Sequence, residues 1–263
     1  MLKHILVAHD LSTQADLALQ RAVHLARSQQ ARLSLVHVLP ADGDEACARQ
    51  RLQAALAACA VTEATLHLPR GNPRVEIAAL LRWLEADLLV AGCHHRDSPQ
   101  TFAGTTLEQL LQHCSTPILL AAAPGCPAWR CALVPLDFSP CASRALQFAA
   151  RLLDADACLI AAHVHEVARV HAGDDPAGLD FQRSLFEGLL EEEGSALPAA
   201  APPLQGVWLA GERDQCLEQL IAAERPQLLA LGGHSRGALA DALLGSLARQ
   251  MLQQPPCDVL IVR

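Results

Sequence analysis

The sequence contains no tyrosine, and only five phenylalanines, three tryptophans and two methionines among its 263 residues. Aromatic residues amount to 3%, too few for a surface that recognises nucleic acid by stacking on bases. The same scarcity, with Ala, Leu and Val supplying the apolar mass, points away from an all-β fold and toward helices packed on a buried sheet. No basic run is present. Lys and Arg number 20 against 28 Asp and Glu, for a formal net charge of -8, so bulk attraction to nucleic acid is excluded. The ten cysteines stand singly, without a CxxC pair, and their spacing gives no disulfide framework. No apolar run is long and unbroken enough to span a bilayer, and because "MLKHILVAHD" reads directly as a strand pattern, no signal peptide is expected. A soluble cytoplasmic protein with reduced thiols and no membrane or nucleic-acid partner is expected. Also missing are a G-x4-GK[ST] loop and a nucleophile elbow on any strand end, so no dedicated catalyst is expected, at most a slow ATPase.

Hydrophobic residues make up 51% and charged residues 18%, enough for a substantial core. The apolar mass is organised as a repeat. "ILVAHDLSTQADLALQRAVHLARSQQARLSLVHVL" from Ile5 corresponds to "ALVPLDFSPCASRALQFAARLLDADACLIAAHVHE" from Ala132. Each reads as a short apolar strand, an Asp, a Ser, an amphipathic helix and a second apolar strand. Asp10 matches Asp137, His37 matches His163, Gly71 matches Gly211, and Gly92 matches Gly232. The second copy carries extra residues between its second and third strands, including "HAGDDPAG" and "LPAAAPPLQG", which have turn composition. "GTTLEQLLQHCSTPILLAA" from Gly104 then matches "GSLARQMLQQPPCDVLIVR" from Gly245. Continuously apolar strands alternating with helices predict a parallel sheet buried on both faces, in an open doubly wound α/β arrangement made twice. The domains are placed at 1–123 and 129–263, joined by the Pro- and Gly-containing linker within Ala121–Arg130.

With these features in order and seen twice, the chain resembles the universal stress protein family, tandem type. The features are Asp10/Ser12 and Asp137/Ser139 after the first strand, His37-Val38 and His163-Val164 at the end of the second, Gly71 and Gly211 after the third, and a glycine loop ending in Gly-Thr or Gly-Ser. The resemblance implies two five-stranded parallel sheets with helices on both faces, of the adenine nucleotide alpha-hydrolase-like kind. It implies ATP bound through a loop of the form G-x2-G-x9-G-[ST], with the Asp after the first strand contacting adenine. Backbone at the end of the second strand, here Val164, would line the base pocket. It also implies pairing through the last strands. In a tandem chain the two halves are expected to pair as an intramolecular pseudo-dimer, with "PILLAA" beside "VLIVR"; a homodimer of the whole chain is left open.

A loop leaving a parallel strand and entering a helix presents free N–H groups and the positive end of the helix dipole to an anion. Glycines there let the backbone approach phosphate oxygens. In the second half Gly232 is followed by Ser235 where the family has glycine, then by Gly245 and Ser246 at the family spacing. Arg236 stands ready to neutralise a phosphate. The expected nucleotide site is therefore Asp137, Val164, Gly232, Ser235, Arg236, Gly245 and Ser246. The first half has His95 in the second glycine position and one residue fewer before Gly104, so no ATP is expected there.

The first-half histidines offer a different chemistry. His9, His37, His67, His94 and His95 all fall near strand ends that open on one crevice, and His9, His94 and His95 are candidate zinc ligands. Against that stand imidazoles bonded to backbone, with His37 belonging to the scaffold. Structural readings accompany the other residues as well. Asp10 and Asp137 can cap the following turn, Gly71 and Gly211 can be turn glycines, and Cys93 is either a redox sensor or a buried small hydrophobe. The leading expectation is a stress-response protein that binds adenine nucleotide in its second half and acts as a switch or scaffold for protein partners. The alternative is an interaction scaffold without nucleotide, with a metal held by the first-half histidines.

Overall fold

Runs such as Ile5–Leu6–Val7 and Leu88–Leu89–Val90 have no polar face, and in the structure all six side chains are fully buried. The computed structural model describes residues 1–93, 106–125, 128–166, 176–233, 250–251 and 253–263. By its contacts the chain divides into two units: Met1–Pro127 with Asp241–Ile261 and Arg263, and Ala128–Ala240 with Val262.

Unit 1 contains β1 (His4–Ala8), α1 (Thr13–Gln29), β2 (Arg32–Val36), α2 (Glu45–Ala58), β3 (Thr65–His67), α3 (Pro73–Trp83), β4 (Leu88–Gly92), α4 (Thr106–His113) and β5 (Ile118–Ala121). β1 lies between β2 and β4, β3 flanks β2, β5 flanks β4, and every junction is parallel. The order β3-β2-β1-β4-β5 is that of an open doubly wound sheet. Unit 2 contains β6 (Cys131–Pro135), α5 (Pro140–Leu152), β7 (Cys158–Glu166), α6 (Pro176–Ala196), β8 (Leu204–Gly211), α7 (Arg213–Glu224) and β9 (Leu228–Gly232). Its parallel order β9-β6-β7-β8 reproduces the first four strands of unit 1. The α/β fold and the repeat expected from the sequence are both present.

Local chemistry sets the helix boundaries. Ser12 and Ser139 are the N-caps of α1 and α5, accepting from the amides of Ala15 and Ala142. Asp44, Asn72 and Glu212 cap α2, α3 and α7 in the same way. Proline opens α3 and α5 at their first turn, where its missing N–H and fixed φ cost nothing.

The last strand, β10 (Asp258–Val262), is the fifth strand of the second copy by sequence. In space it completes the sheet of unit 1. Val259, Leu260 and Ile261 pair antiparallel with Leu120, Leu119 and Ile118, so "PILLAA" does lie beside "VLIVR". A buried ion pair accompanies this strand. Arg21 of α1 is 1% exposed and Asp258 0% exposed, with Arg21 Nε 2.8 Å from Asp258 Oδ2. Asp258 Oδ1 accepts the amides of Ala122 and Ala123 at 2.8 and 3.0 Å. Neither partner recurs in the repeat, where Phe148 corresponds to Arg21 and Pro117 to Asp258.

Both copies press their first helix onto the glycine that ends the fourth strand. A Cβ on Gly92 would stand 2.5 Å from Gln14 O, and one on Gly232 would stand 2.7 Å from Ala142 N. Backbone on both sides leaves no room for a methyl group. Gly232→Ala is therefore expected to lower stability by about 1–3 kcal/mol through overpacking. Asp258→Ala, which removes the carboxylate facing buried Arg21, is expected to cost about 3–5 kcal/mol. Urea unfolding of the two variants checks both values, and wild-type midpoints at an unchanged slope would contradict the packing just described.

Candidate functional site

The Asp-x-Ser segment joins the first strand of each unit to its first helix. Asp10 Oδ1 and Asp137 Oδ1 each accept the amide of the serine two residues on, at 3.0 Å. The residue between them is left-handed in both copies, with φ 68 at Leu11 and φ 61 at Phe138. That conformation costs a non-glycine residue about 1–2 kcal/mol, and the aspartate bond and serine cap on either side hold it in place. Both aspartates thus perform the turn-capping role. Among the described residues Asp137 Oδ2 has no hydrogen-bond partner.

His37, just after β2, and His163, within β7, secure the same turn in the two units. His37 Nδ1–H donates to His9 O at 2.8 Å, and His163 Nδ1–H donates to Leu136 O at 2.7 Å. The two carbonyls occupy equivalent positions, so this histidine is part of the scaffold in both units. After the third strand, Gly71 and Gly211 have φ 139 and 152, a region that favours glycine.

The second unit adds a feature that sequence reasoning missed. Although aromatics are scarce, several surround His163. Its ring lies 4.7 Å from Phe138, 5.0 Å from Trp208 and 5.7 Å from Phe186, and His165 stacks on Trp208 at 5.8 Å. The first copy has Leu11 and Leu68 in place of Phe138 and Trp208. The available signal was this leucine-to-aromatic difference at matched positions.

Asp137 stands two residues beyond β6 and Gly232 at the end of β9, whereas Val164 lies within β7, which runs on to Glu166 and so extends past the expected His163-Val164 strand end. Gly232 has a packing role, since α5 crosses directly over it. The next amide, Gly233 N–H, donates to Val262 O at 2.7 Å. Ser235, Arg236, Gly245 and Ser246 lie outside the described residues.

Of the candidate metal ligands, His94 and His95 also lie outside the described residues. His9 is 2% exposed and spends both ring nitrogens within the protein. Its Nδ1 accepts the Leu11 amide at 3.0 Å, and its Nε2–H donates to Asp16 Oδ1 at 3.1 Å. It borders a cleft of about 370 Å³ between α1 and α2, lined also by Asp16, Arg51, Ala55 and Cys59. Among the described residues no group of three or more His, Cys, Asp or Glu side chains is arranged to hold a metal ion. Cys93 is buried, and its thiol is pushed up to about 12 by burial and, secondarily, by the Asp258 charge. It behaves as a small hydrophobe rather than a reactive thiol.

The profile of the universal stress protein family matches residues 1–122 and again residues 129–263. The chain belongs to the universal stress protein family. A universal stress protein from Archaeoglobus fulgidus DSM 4304 is 17% identical, covers 99% of this chain and 98% of its own, and superposes with a TM-score of 0.71. A putative universal stress protein from Pseudomonas aeruginosa UCBPP-PA14 is 19% identical over 99% of this chain and 93% of its own, with a TM-score of 0.73. A shorter neighbour, a universal stress protein in complex with cAMP, is 20% identical over 46% of this chain and 97% of its own, with a TM-score of 0.39. No curated protein matches the chain. Among the described residues of this universal stress protein no helix is long and apolar enough to cross a membrane.

Three histidines of unit 1 make this fold sensitive to acid. His9, His4 and His67 are all held below their ordinary value, each chiefly by burial, with Asp16 opposing the effect at His9. Protonating His9 Nδ1 would also remove the acceptor for Leu11 N–H. A lowered folded value means that the unfolded chain takes up protons first. Stability is then full above about pH 6.5, the unfolded histidine value, and is lost as pH falls toward the folded values. The unfolding free energy measured in urea is expected to decline as pH falls below about 6.5. His9→Asn keeps an acceptor for Leu11 and removes one titrating ring, so it should flatten the decline. An equally steep slope in that variant would assign the effect elsewhere.

Proposed function

We propose that this universal stress protein binds an adenine nucleotide in its second half and works as a ligand-dependent switch or scaffold. The observation that carries the reading is the aromatic surround of His163 next to Asp137, which the first half lacks. Phe138 and Trp208 offer π faces to a purine. Asp137 Oδ2 is the acceptor for the adenine amine, and Val164 backbone closes the base pocket. The phosphates would extend along Gly232, Ser235, Arg236, Gly245 and Ser246. Amide dipoles and one guanidinium suit an anionic group there. The first half, with leucines at the matched positions and His95 where the family motif has glycine, acts as the partner half without nucleotide.

Stabilisation by a bound ligand follows RT ln(1 + [L]/Kd), about 2.7 kcal/mol at a hundredfold excess over Kd. Millimolar ATP is accordingly expected to raise the melting temperature of the full-length protein. Asp137→Asn and Trp208→Ala should each abolish most of the rise, and Ser235→Gly should enlarge it. Thermal denaturation with and without ATP, supported by equilibrium dialysis, decides the matter. An unmoved melting temperature together with no retained nucleotide would favour a scaffold without nucleotide, a reading already supported by the packing role of Gly232.

A further inference from the structure

Two cysteines that are far apart in sequence meet in unit 2. Cys131 opens β6 and Cys158 opens β7, and the parallel register sets one directly against the other. Facing residues of a parallel ladder project to the same side of the sheet. Neighbouring strands lie about 4.8 Å apart, which brings the two Cα atoms within the ~4.4–6.8 Å that a disulfide spans. The Cys158 thiol is near enough to act on that of Cys131, and both residues are half-buried, within reach of a small oxidant. The backbone around them is fixed. Cys131 N–H donates to Gln227 Oε1 at 2.9 Å, its carbonyl accepts Gln227 N–H at 2.9 Å, and Cys158 N–H donates to Arg130 O at 2.8 Å. Burial, followed by the Cys158 thiol and Glu224, pushes Cys131 up to about 11, so at neutral pH it rests as a thiol.

From this juxtaposition we propose that Cys131 and Cys158 form a dithiol modification site, which a hydroperoxide converts into a disulfide joining β6 to β7. One sulfur attacks the peroxide oxygen. The O–O bond breaks, an alcohol or water leaves, and a sulfenic acid forms. The second sulfur attacks that sulfenic sulfur, so that the S–S bond forms, the S–O bond breaks and water leaves. In sum, two thiols and one hydroperoxide give a disulfide, an alcohol and water; the dithiol loses two electrons and two protons, and the peroxide gains them. A directly facing parallel pair is wider at Cβ than the ~3.8 Å of a relaxed disulfide. The bond therefore carries strain and is readily returned to the dithiol by cellular thiols. The segment it closes carries Asp137, Phe138 and α5.

The test uses the reduced full-length protein, titrated with hydrogen peroxide until exposed Cys47 has been consumed. Remaining thiols are then alkylated and the protein is digested without reductant. The expected product is a Cys131–Cys158 cross-linked peptide, lighter by two hydrogens than its separate halves and released by dithiothreitol. In C131A and C158A the cross-link is expected to vanish, with the remaining partner recovered as an alkylated or over-oxidised monothiol. Recovery of both residues as alkylated thiols in the wild type after Cys47 has reacted overturns the proposal, as does their linkage to other cysteines.

Discussion

Each unit depends on reversing direction between its first strand and first helix within a few residues. That reversal forces Leu11 and Phe138 into left-handed backbone, and three polar groups hold them there. The aspartate before accepts the serine amide, the serine after caps the helix, and the histidine from the second strand clasps the carbonyl of the residue before the aspartate. A turn this tight delivers the helix directly over the end of the fourth strand, where only glycine leaves room for its backbone. Aspartate, serine, histidine and glycine form one mechanical assembly in each unit. This explains why the first copy keeps all four although its loop departs from the nucleotide motif.

The two copies then diverge by a small number of asymmetric placements. Arg21 and Asp258 form a buried ion pair that has no counterpart at Phe148 and Pro117. Burying two charges is unfavourable unless they find each other, so the pair ties β10 to α1 and to the edge strand β5. An unpaired β5 edge would present open hydrogen-bonding groups to other chains, and β10 covers it. A second asymmetry is the substitution of Phe138 and Trp208 for Leu11 and Leu68, which gathers aromatic surface around His163 in one unit only. The scaffold is shared, and this aromatic cluster belongs to the second copy.

The sequence was most informative where one residue type admits one conformation. The repeat, the parallel sheet, the turn-capping role of Asp10 and Asp137 and the turn glycines Gly71 and Gly211 were all legible, because apolar runs, aspartates two residues before a serine and positive-φ glycines have local causes; the helix caps at Ser12 and Ser139 emerged with the structure. The reading of His37 as scaffold was legible from its match to His163. The roles of His9 and Gly232 were not. His9 faces Asp16 across the first helical turn rather than an open crevice, and Gly232 is needed by α5 whether or not a phosphate lies nearby.

Strand and helix identity, their alternation and the twofold internal repeat were thus determined by the sequence itself, since hydrophobic period and turn residues act over a few neighbours. The family resemblance implied the pairing of the last strand with β5, whereas tertiary structure alone decided that Arg21 meets Asp258 and that Cys131 meets Cys158. Those contacts join residues distant along the chain, and the free energy that selects them comes from burial and charge pairing that arise only when the sheet is assembled.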